Sequence, residues 1–327
     1  MSGGSTPRIL VTGATGFVGR PLVSELLKRG YTVRAGLRSA AALPAGCEAV
    51  MVGEIGPDTD WRPALAGVDR IVHLAARVHV MRDRAADPLA AFRRINRDGT
   101  RRLADQAAAT GVRRLVFLSS IKAMIEDGRD TALGDDESPC PGSPYGQSKW
   151  EAEQALAELA ATSGLEVAVL RPPLVYGPEV KGNFLSLLKA CARGLPLPLG
   201  AIDNRRSIVY LGNLIDAITR CLDHPAAIGR SFLIQDGAPL STPELLQRVG
   251  AALGRPARLL PIPPGLLAAA AGLVGKSAAW SRLAGSLFVD DSPLRLALTW
   301  QPPFSTDEGL KRTADWFTGR DAGASRR

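Results

Sequence analysis

Near its start the chain runs Ile9-Leu10-Val11-Thr12 directly into Gly13-Ala14-Thr15-Gly16-Phe17-Val18-Gly19. An apolar run of strand type breaks on glycines and passes at once into a segment of helical periodicity, 18–29, which Gly30 closes as a C-cap. Further strand-like runs stand at 31–37, 69–75, 113–119 and 166–170. Between them, 87–110 reads as a long helix followed by Gly111, and 144–162 as a helix ended near Gly164. Strands that alternate with helices of this length predict right-handed βαβ crossovers and a parallel sheet covered on both faces. The fold class expected is therefore α/β, a Rossmann-type doubly wound parallel sheet. After Pro172-Pro173 the pattern loosens, and prolines punctuate 195–240 at irregular spacing. Residues 1–172 are expected to form the nucleotide-binding domain. Residues 173–320 are expected to form a smaller substrate lobe partly interleaved with it, and 321–327 a disordered tail. Ser241-Thr242-Pro243-Glu244 reads as a helix start, with a hydroxyl cap, a first-turn proline and an acid near the dipole.

The glycine turn has a chemistry of its own. A helix N-terminus carries free N–H groups and the positive end of the dipole, so it holds a pyrophosphate. Gly13 permits the tight turn, Gly16 lets the backbone approach a phosphate, and Gly19 lets helix and strand pack closely. Thr15, Phe17 and Val18 complete the loop. The bland alternative is a glycine-rich turn with no ligand. The end of the second strand bears on which dinucleotide is held. An acid there meets the ribose 2′-OH of NAD, whereas an arginine suits the 2′-phosphate of NADP. Val33-Arg34-Ala35-Gly36-Leu37-Arg38-Ser39 contains no acid, and Arg38 stands where a 2′-phosphate is met. The reading leans to NADP over NAD.

Tyr145 and Lys149 lie four residues apart in Ser143-Pro144-Tyr145-Gly146-Gln147-Ser148-Lys149, at the start of a predicted helix. Residues so spaced share one helical face. An ammonium close to a phenol, with an oxidised nicotinamide beside it, favours phenolate and so lowers a pKa that is ordinarily about 10. Tyr145 is then usable as an acid/base. A hydroxyl that polarises a carbonyl is also needed. Ser119 and Ser120 end the strand centred on Leu115-Val116-Phe117-Leu118, at the sheet edge where such folds place ligands. Ser120 is the first choice and Ser119 the reserve; strand-end serines also simply cap backbone groups.

Composition closes off other classes. The chain has 327 residues, 46% hydrophobic and 22% charged, which suits a globular body rather than disorder. It contains no apolar stretch of about 18 residues, and its first residues lack the order of a secretory signal, so no membrane span is expected. Cys47, Cys140, Cys191 and Cys221 are scattered, and His73, His79 and His224 show no ligand spacing. A reduced, cytoplasmic setting and no metal are expected. The net charge of +8 draws partly on Arg320, Arg326 and Arg327. It reads as a solvated surface with some arginines for anionic ligands. Without aromatic interleaving it does not point to nucleic acid. The alanine-rich apolar stretch 261–275 is too short to span a bilayer. It reads as a packed helix, with a membrane-surface or partner-docking helix as the sharper alternative.

With these motifs the chain resembles the extended branch of the short-chain dehydrogenase/reductase superfamily, the NAD-dependent epimerase/dehydratase group, over roughly 8–318. The matching pieces are the glycine turn, His73-Leu74-Ala75-Ala76, Asn96 in Asn96-Arg97-Asp98-Gly99-Thr100, Ser119-Ser120, Tyr145 with Lys149, and Arg171-Pro172-Pro173-Leu174-Val175-Tyr176-Gly177-Pro178. The resemblance implies Tyr145 as general acid/base, Lys149 as the residue that anchors the ribose and lowers the phenol pKa, and Ser120 as the residue that orients the substrate oxygen. It implies Glu54 and Ile55 beside adenine, and cofactor contacts from Leu74, Ala75, Ala76, Asn96, Ser119 and Pro172. Asn183 resembles a nucleotide-sugar contact and Arg206 an arginine on the substrate diphosphate. A guanidinium fork suits that role. A homodimer through the face that includes the Tyr145 helix is implied as well.

Together these imply an oxidoreductase acting at C4 of a UDP-linked sugar. Two versions stay open, a UDP-4-keto-sugar reductase and a UDP-hexose or N-acetylhexosamine 4-epimerase. Ile121-Lys122 follows the serines where a 4,6-dehydratase needs further carboxylates. Reduction of a hydrophobic carbonyl of steroid or flavonoid type, and a non-catalytic cofactor sensor, are the remaining alternatives.

Overall fold

The computed structural model describes residues 6–78, 86–126 and 128–319. His79, Arg320, Arg326 and Arg327, and the tail 321–327, lie outside the described residues. The centre is a seven-stranded, wholly parallel sheet. Its first six strands are β1 (Arg8–Thr12), β2 (Thr32–Leu37), β3 (Glu48–Met51), β4 (Arg70–His73), β5 (Arg114–Leu118) and β6 (Glu166–Arg171). Two short ladders lie outside it, β7 (Leu174–Tyr176) with β9 (Ile208–Tyr210) and β8 (Pro196–Leu197) with β11 (Arg258–Leu259). The remaining strand of the main sheet, β10 (Arg230–Leu233), comes from the second half of the chain and pairs with β6. The spatial order is β10-β6-β5-β4-β1-β2-β3. The chain therefore winds one way from β1 through β3 and the other way from β4 outward. The reversal falls between β1 and β4, and a doubly wound sheet places its ligand at the carboxyl ends there.

Alternation along each strand explains the two covered faces. Ile9, Val11, Val72 and Val116 point to one core, where α1 (Gly19–Lys28) packs. Leu10, Ile71, Leu115 and Phe117 point to the other, which α2 (Arg62–Leu65) and the long helices cover. The expected helix over 87–110 is three pieces. They are α3 (Pro88–Arg93), a π-helical turn over Arg94–Asp98, and α4 (Gly99–Ala109). The turn carries Asn96 inward, where its side-chain hydrogen bonds stabilise the interruption.

The other helices are α5 (Pro144–Ser163), α6 (Gly182–Arg193), α7 (Leu211–Asp223), α8 (Thr242–Ala252), α9 (Pro264–Leu273), α10 (Ser277–Ala284), α11 (Ser292–Leu298) and α12 (Thr306–Phe317). Helix α7 packs with α1 on the first face. Helix α8 opens on a capping box between Ser241 and Glu244, as its sequence predicts. Helices α6, α8 and α12 enclose a separate core around Tyr176, Phe184 and Leu246. No described helix is long and apolar enough to cross a membrane.

Candidate active site

At the switch point the carboxyl ends of β1 and β4 meet the glycine turn. Gly13 has φ +68°, and a Cβ there would lie 2.8 Å from the amide nitrogen of Ala75. A Cβ on Gly19 would lie 2.1 Å from the Gly13 carbonyl oxygen. Both positions therefore exclude a side chain, one by conformation and contact, the other by contact alone. The Gly16 amide donates to Gly13 O at 3.0 Å and closes the turn. Helix α1 then starts with no side-chain cap and no acid in its first turn, which suits an anion at its N-terminus. Above this turn opens a cleft of about 680 Å³. Gly13, Thr15, Gly16, Phe17, Val18 and Gly19 line it together with Arg38, Glu54, Ile55, Leu74, Ala75 and Ala76. The structure thus brings these twelve predicted residues to one concavity, with exposed Arg38 at the end of β2. The turn, the uncapped helix and the cleft that opens above them fit a dinucleotide.

The floor of the cleft is fixed by a triad that the sequence did not single out. Thr12 Oγ1 lies 2.6 Å from His73 Nδ1, and His73 Nε2 lies 2.9 Å from Thr100 Oγ1. Thr12 Oγ1 also accepts from the Ala75 amide at 3.2 Å. Burial, with Lys149 adding to it, drives the His73 pKa down to about 3, so the ring is a neutral brace that ties β1, β4 and α4 together. A histidine ending a buried apolar strand was the available signal.

The second half of the site stands on α5. Ser143 caps this helix by accepting from the Gly146 amide at 3.2 Å, and Pro144 sets its first turn. Tyr145 and Lys149 follow one turn apart. Tyr145 is half-buried, and its phenol is hydrogen-bonded to Ser120. Lys149 is 2% exposed; its Nζ donates to the Leu118 carbonyl at 2.6 Å and lies 3.9 Å from the centre of the Phe117 ring. Leu118 itself lines the cleft. Ser120 Oγ accepts from the Lys122 amide at 3.2 Å and faces Tyr145. Ser119 is different. Its hydroxyl hydrogen-bonds the Glu153 carboxylate, which pairs with Arg171 at 2.6 Å in a buried ion pair beneath the sheet edge.

The protonation pattern departs from the one expected. Loss of solvation pushes the Tyr145 phenol up to about 12, against a Ser120 hydrogen bond that pulls it down. Burial takes the Lys149 ammonium down to about 7, with Glu153 opposing. The chain alone therefore raises the phenol rather than lowering it, because desolvation exceeds what its neighbours return.

The remaining predicted residues fall in different places. Asn96 is buried. Its Nδ2 donates to Arg77 O at 3.0 Å and to Ser148 Oγ at 2.9 Å, and its Oδ1 accepts from the Arg77 amide at 2.8 Å. It holds the segment after β4 against α5. Pro172 is buried, and its carbonyl accepts from the Ile121 amide at 3.0 Å, tying β6 to the Ser120 loop. Asn183 is exposed at the start of α6. Arg206 donates from Nη1 to the carbonyls of Arg282 at 2.7 Å and Gly285 at 2.8 Å, and burial lowers its pKa. Close to Tyr145, Lys122 Nζ meets Glu126 Oε1 at 3.0 Å, and Ser143 Oγ donates to Glu126 Oε2 at 2.7 Å. The sequence did not single out this cluster either. The four cysteines are free. Among the described residues, no group of three or more His, Cys, Asp or Glu is arranged to hold a metal.

The family described as "NAD dependent epimerase/dehydratase family" matches residues 9–234. A UDP-glucose 4-epimerase of Vibrio cholerae is 43% identical over 315 residues, covering 94% of this chain and 95% of that protein. The crystal structure of a UDP-glucose 4-epimerase from Thermotoga maritima with UDP-glucose superposes with a TM-score of 0.76 at 23% identity, over 96% of this chain and 99% of that one. That of a UDP-glucuronic acid 4-epimerase from Bacillus cereus in complex with NAD gives 0.75 at 21%, over 97% and 98%. At such identities the two structures establish the fold.

Proposed function

The chain belongs to the NAD dependent epimerase/dehydratase family and is an NAD-dependent enzyme, and on that premise we propose that it inverts C4 of a UDP-linked hexose or N-acetylhexosamine. The observation that carries the proposal is the placement of Tyr145. Its hydroxyl is held by Ser120 at the open end of β5, and Lys149 binds the carbonyl of a residue that lines the dinucleotide cleft. The Vibrio cholerae relative supports the choice of substrate and of reaction.

A dinucleotide held in the cleft by the glycine turn would supply the hydride chemistry at C4. The protein's share is the proton and the geometry. Tyr145 takes the proton of the C4 hydroxyl as hydride leaves and gives it back when hydride returns to the opposite face. Ser120 holds the C4 oxygen, and Lys149 places its cation beside the ribose. Asn96 holds α5 against the segment after β4, Pro172 positions the Ser120 loop, and the His73 brace ties together the strands beneath the cleft. In the second lobe Asn183 and Arg206 take the nucleotide diphosphate, with Arg206 using the donors left over from its bonds to Arg282 and Gly285. The enzyme acts in the cytoplasm as a homodimer through the face that includes α5.

A second reading, net reduction of a UDP-4-keto-sugar by NADPH, is favoured by one feature. Arg38 is exposed at the cleft's rim at the end of β2. One assay separates the two. The protein is incubated with UDP-glucose, UDP-galactose and their N-acetyl counterparts, and separately with a UDP-4-keto-sugar and NADPH; products are resolved by chromatography, and absorbance of reduced nicotinamide is followed. Interconversion with no net absorbance change supports epimerisation. Net NADPH consumption on a 4-keto-sugar replaces it with reduction. Tyr145→Phe should lower turnover by roughly 10²- to 10⁴-fold and leave dinucleotide binding intact; unchanged turnover refutes the role of the phenol.

A further inference from the structure

Helix α9 contradicts its own composition. Its sequence, PGLLAAAAGL, is apolar on every side, yet none of its residues is buried. Leu266 is 65% exposed, Leu273 90%, and Val274 in the turn beyond 66%. The segment leading into it adds Leu260 at 45%. A helix that is apolar all round belongs in a protein core or in lipid, and this one is not in the core. Its neighbour is α10, joined through the turn that carries Lys276. Ten residues rise only about 15 Å, roughly half the hydrocarbon thickness of a bilayer. A helix of that length and character lies along a membrane surface rather than across it.

The charge around it selects the kind of surface. Residues 255–289 contain Arg255, Arg258, Lys276 and Arg282 and not one acid. All four basic residues are exposed. They flank the apolar helix on both sides in sequence, two before it and two after. Anionic headgroups attract such a segment. A second copy of the chain meeting this face symmetrically would set the same four cations against one another.

We propose that α9 and the turn into α10 dock on an anionic lipid bilayer, with Leu266, Leu273 and Val274 entering the boundary between headgroups and acyl chains and Arg258 and Lys276 lying at the phosphates. The docking face is tied to Arg206 of the same lobe, which holds the carbonyls of Arg282 and Gly285 that close α10. The proposal concerns adsorption of the whole protein and stands whatever reaction the site performs.

The test is flotation of the full chain with phosphatidylcholine vesicles prepared with and without phosphatidylglycerol. The protein is expected to float with the anionic vesicles only. Leu266→Asp with Leu273→Asp should weaken partitioning by roughly tenfold for each leucine removed. Lys276→Glu should weaken it by about fivefold for the lost cation, with a further loss for the added anion. These side chains are exposed, so circular dichroism and turnover of soluble substrate should match the unmodified chain. Flotation that is absent, or equal on neutral vesicles, overturns the proposal. So does flotation insensitive to the substitutions. A lipid-free dimer, seen by light scattering and dissolved by the double aspartate variant, would mean that a second copy covers this face, and would equally overturn it.

Discussion

Lys149→Met is expected to make the protein more stable while removing its activity. Lys149 is 2% exposed and sits where burial lowers its pKa from the ordinary 10.5 to about 7. The gap of about 3.5 on the pH scale, at about 1.36 kcal/mol for each step, amounts to roughly 5 kcal/mol by which folding disfavours the ammonium. Methionine fills a similar volume and carries no charge. It leaves the Leu118 carbonyl, now accepting at 2.6 Å, without its donor, a loss of about 1–2 kcal/mol. The expected net gain is about 3 kcal/mol. Its pH dependence gives the signature. Between about 7 and 10.5 the unfolded chain holds this proton more firmly than the folded one, so unmodified protein gains stability as pH rises through that window. The penalty is at full strength below about 7 and vanishes above 10.5. The advantage of Lys149→Met should therefore be largest at about pH 6 and fall by about 3 kcal/mol by about pH 9, leaving no advantage there. Urea unfolding of both proteins without dinucleotide, at the two pH values, measures this. A variant less stable than the parent at the lower pH, or an advantage that does not shrink with pH, refutes the account of Lys149 as a cation retained against its own solvation.

Three further substitutions probe the rest of the site. Arg38→Ala should weaken NADPH binding by roughly fivefold, the scale of an exposed charge pair, and leave NADH unchanged; equal effects on both, measured by nicotinamide fluorescence titration, remove the arginine from cofactor choice. Gly19→Ala should destabilise the chain by about 3 kcal/mol through overpacking, since its new Cβ would lie 2.1 Å from the Gly13 carbonyl oxygen, and thermal unfolding together with dinucleotide affinity would register it. Glu153→Gln breaks the buried pair with Arg171, which is 5% exposed to the carboxylate's 3%, and should lower unfolding free energy by about 3–5 kcal/mol; a loss below about 1 kcal/mol would mean the pair behaves as an exposed one.

What the sequence made legible was whatever is local. The strand, the glycines and the helix of the first unit are set by contiguous residues, and β1, the turn and α1 stand where the pattern put them. The Ser241 capping box is likewise a four-residue signal. The four-residue spacing of Tyr145 and Lys149 fixed their shared helix. The helix read over 87–110 failed at Asn96, because the π-helical turn is held by bonds to Arg77 and to Ser148, which lies 52 positions away. Strand β3, largely exposed at the sheet edge, and β10, which returns from the second half, carry no apolar run long enough to announce themselves. The rise of the Tyr145 pKa in the chain alone was not legible for the same reason. Desolvation is set by everything packed around a group, and a spacing of four residues says nothing about it. Arg206 could be picked out as a guanidinium, but not as one whose Nη1 already spans two carbonyls.

The arrangement around Lys149 also explains why a buried cation is tolerated without a carboxylate of its own. The acid within electrostatic reach, Glu153, is held by Arg171 and by the Ser119 hydroxyl. What meets the ammonium instead is a carbonyl dipole and the face of Phe117. Such partners hold the side chain in position through hydrogen bonding and a cation–π contact, but they do not cancel its charge. A salt bridge would have stabilised the cation at the expense of its field. With Glu153 committed elsewhere, the ammonium stays beside the residue, Leu118, that lines the cleft. The raised phenol and the lowered ammonium are thus two consequences of one desolvated pocket. The stability forfeited there is supplied by the surrounding sheet and its two cores, as expected where function, rather than folding, fixes the residue.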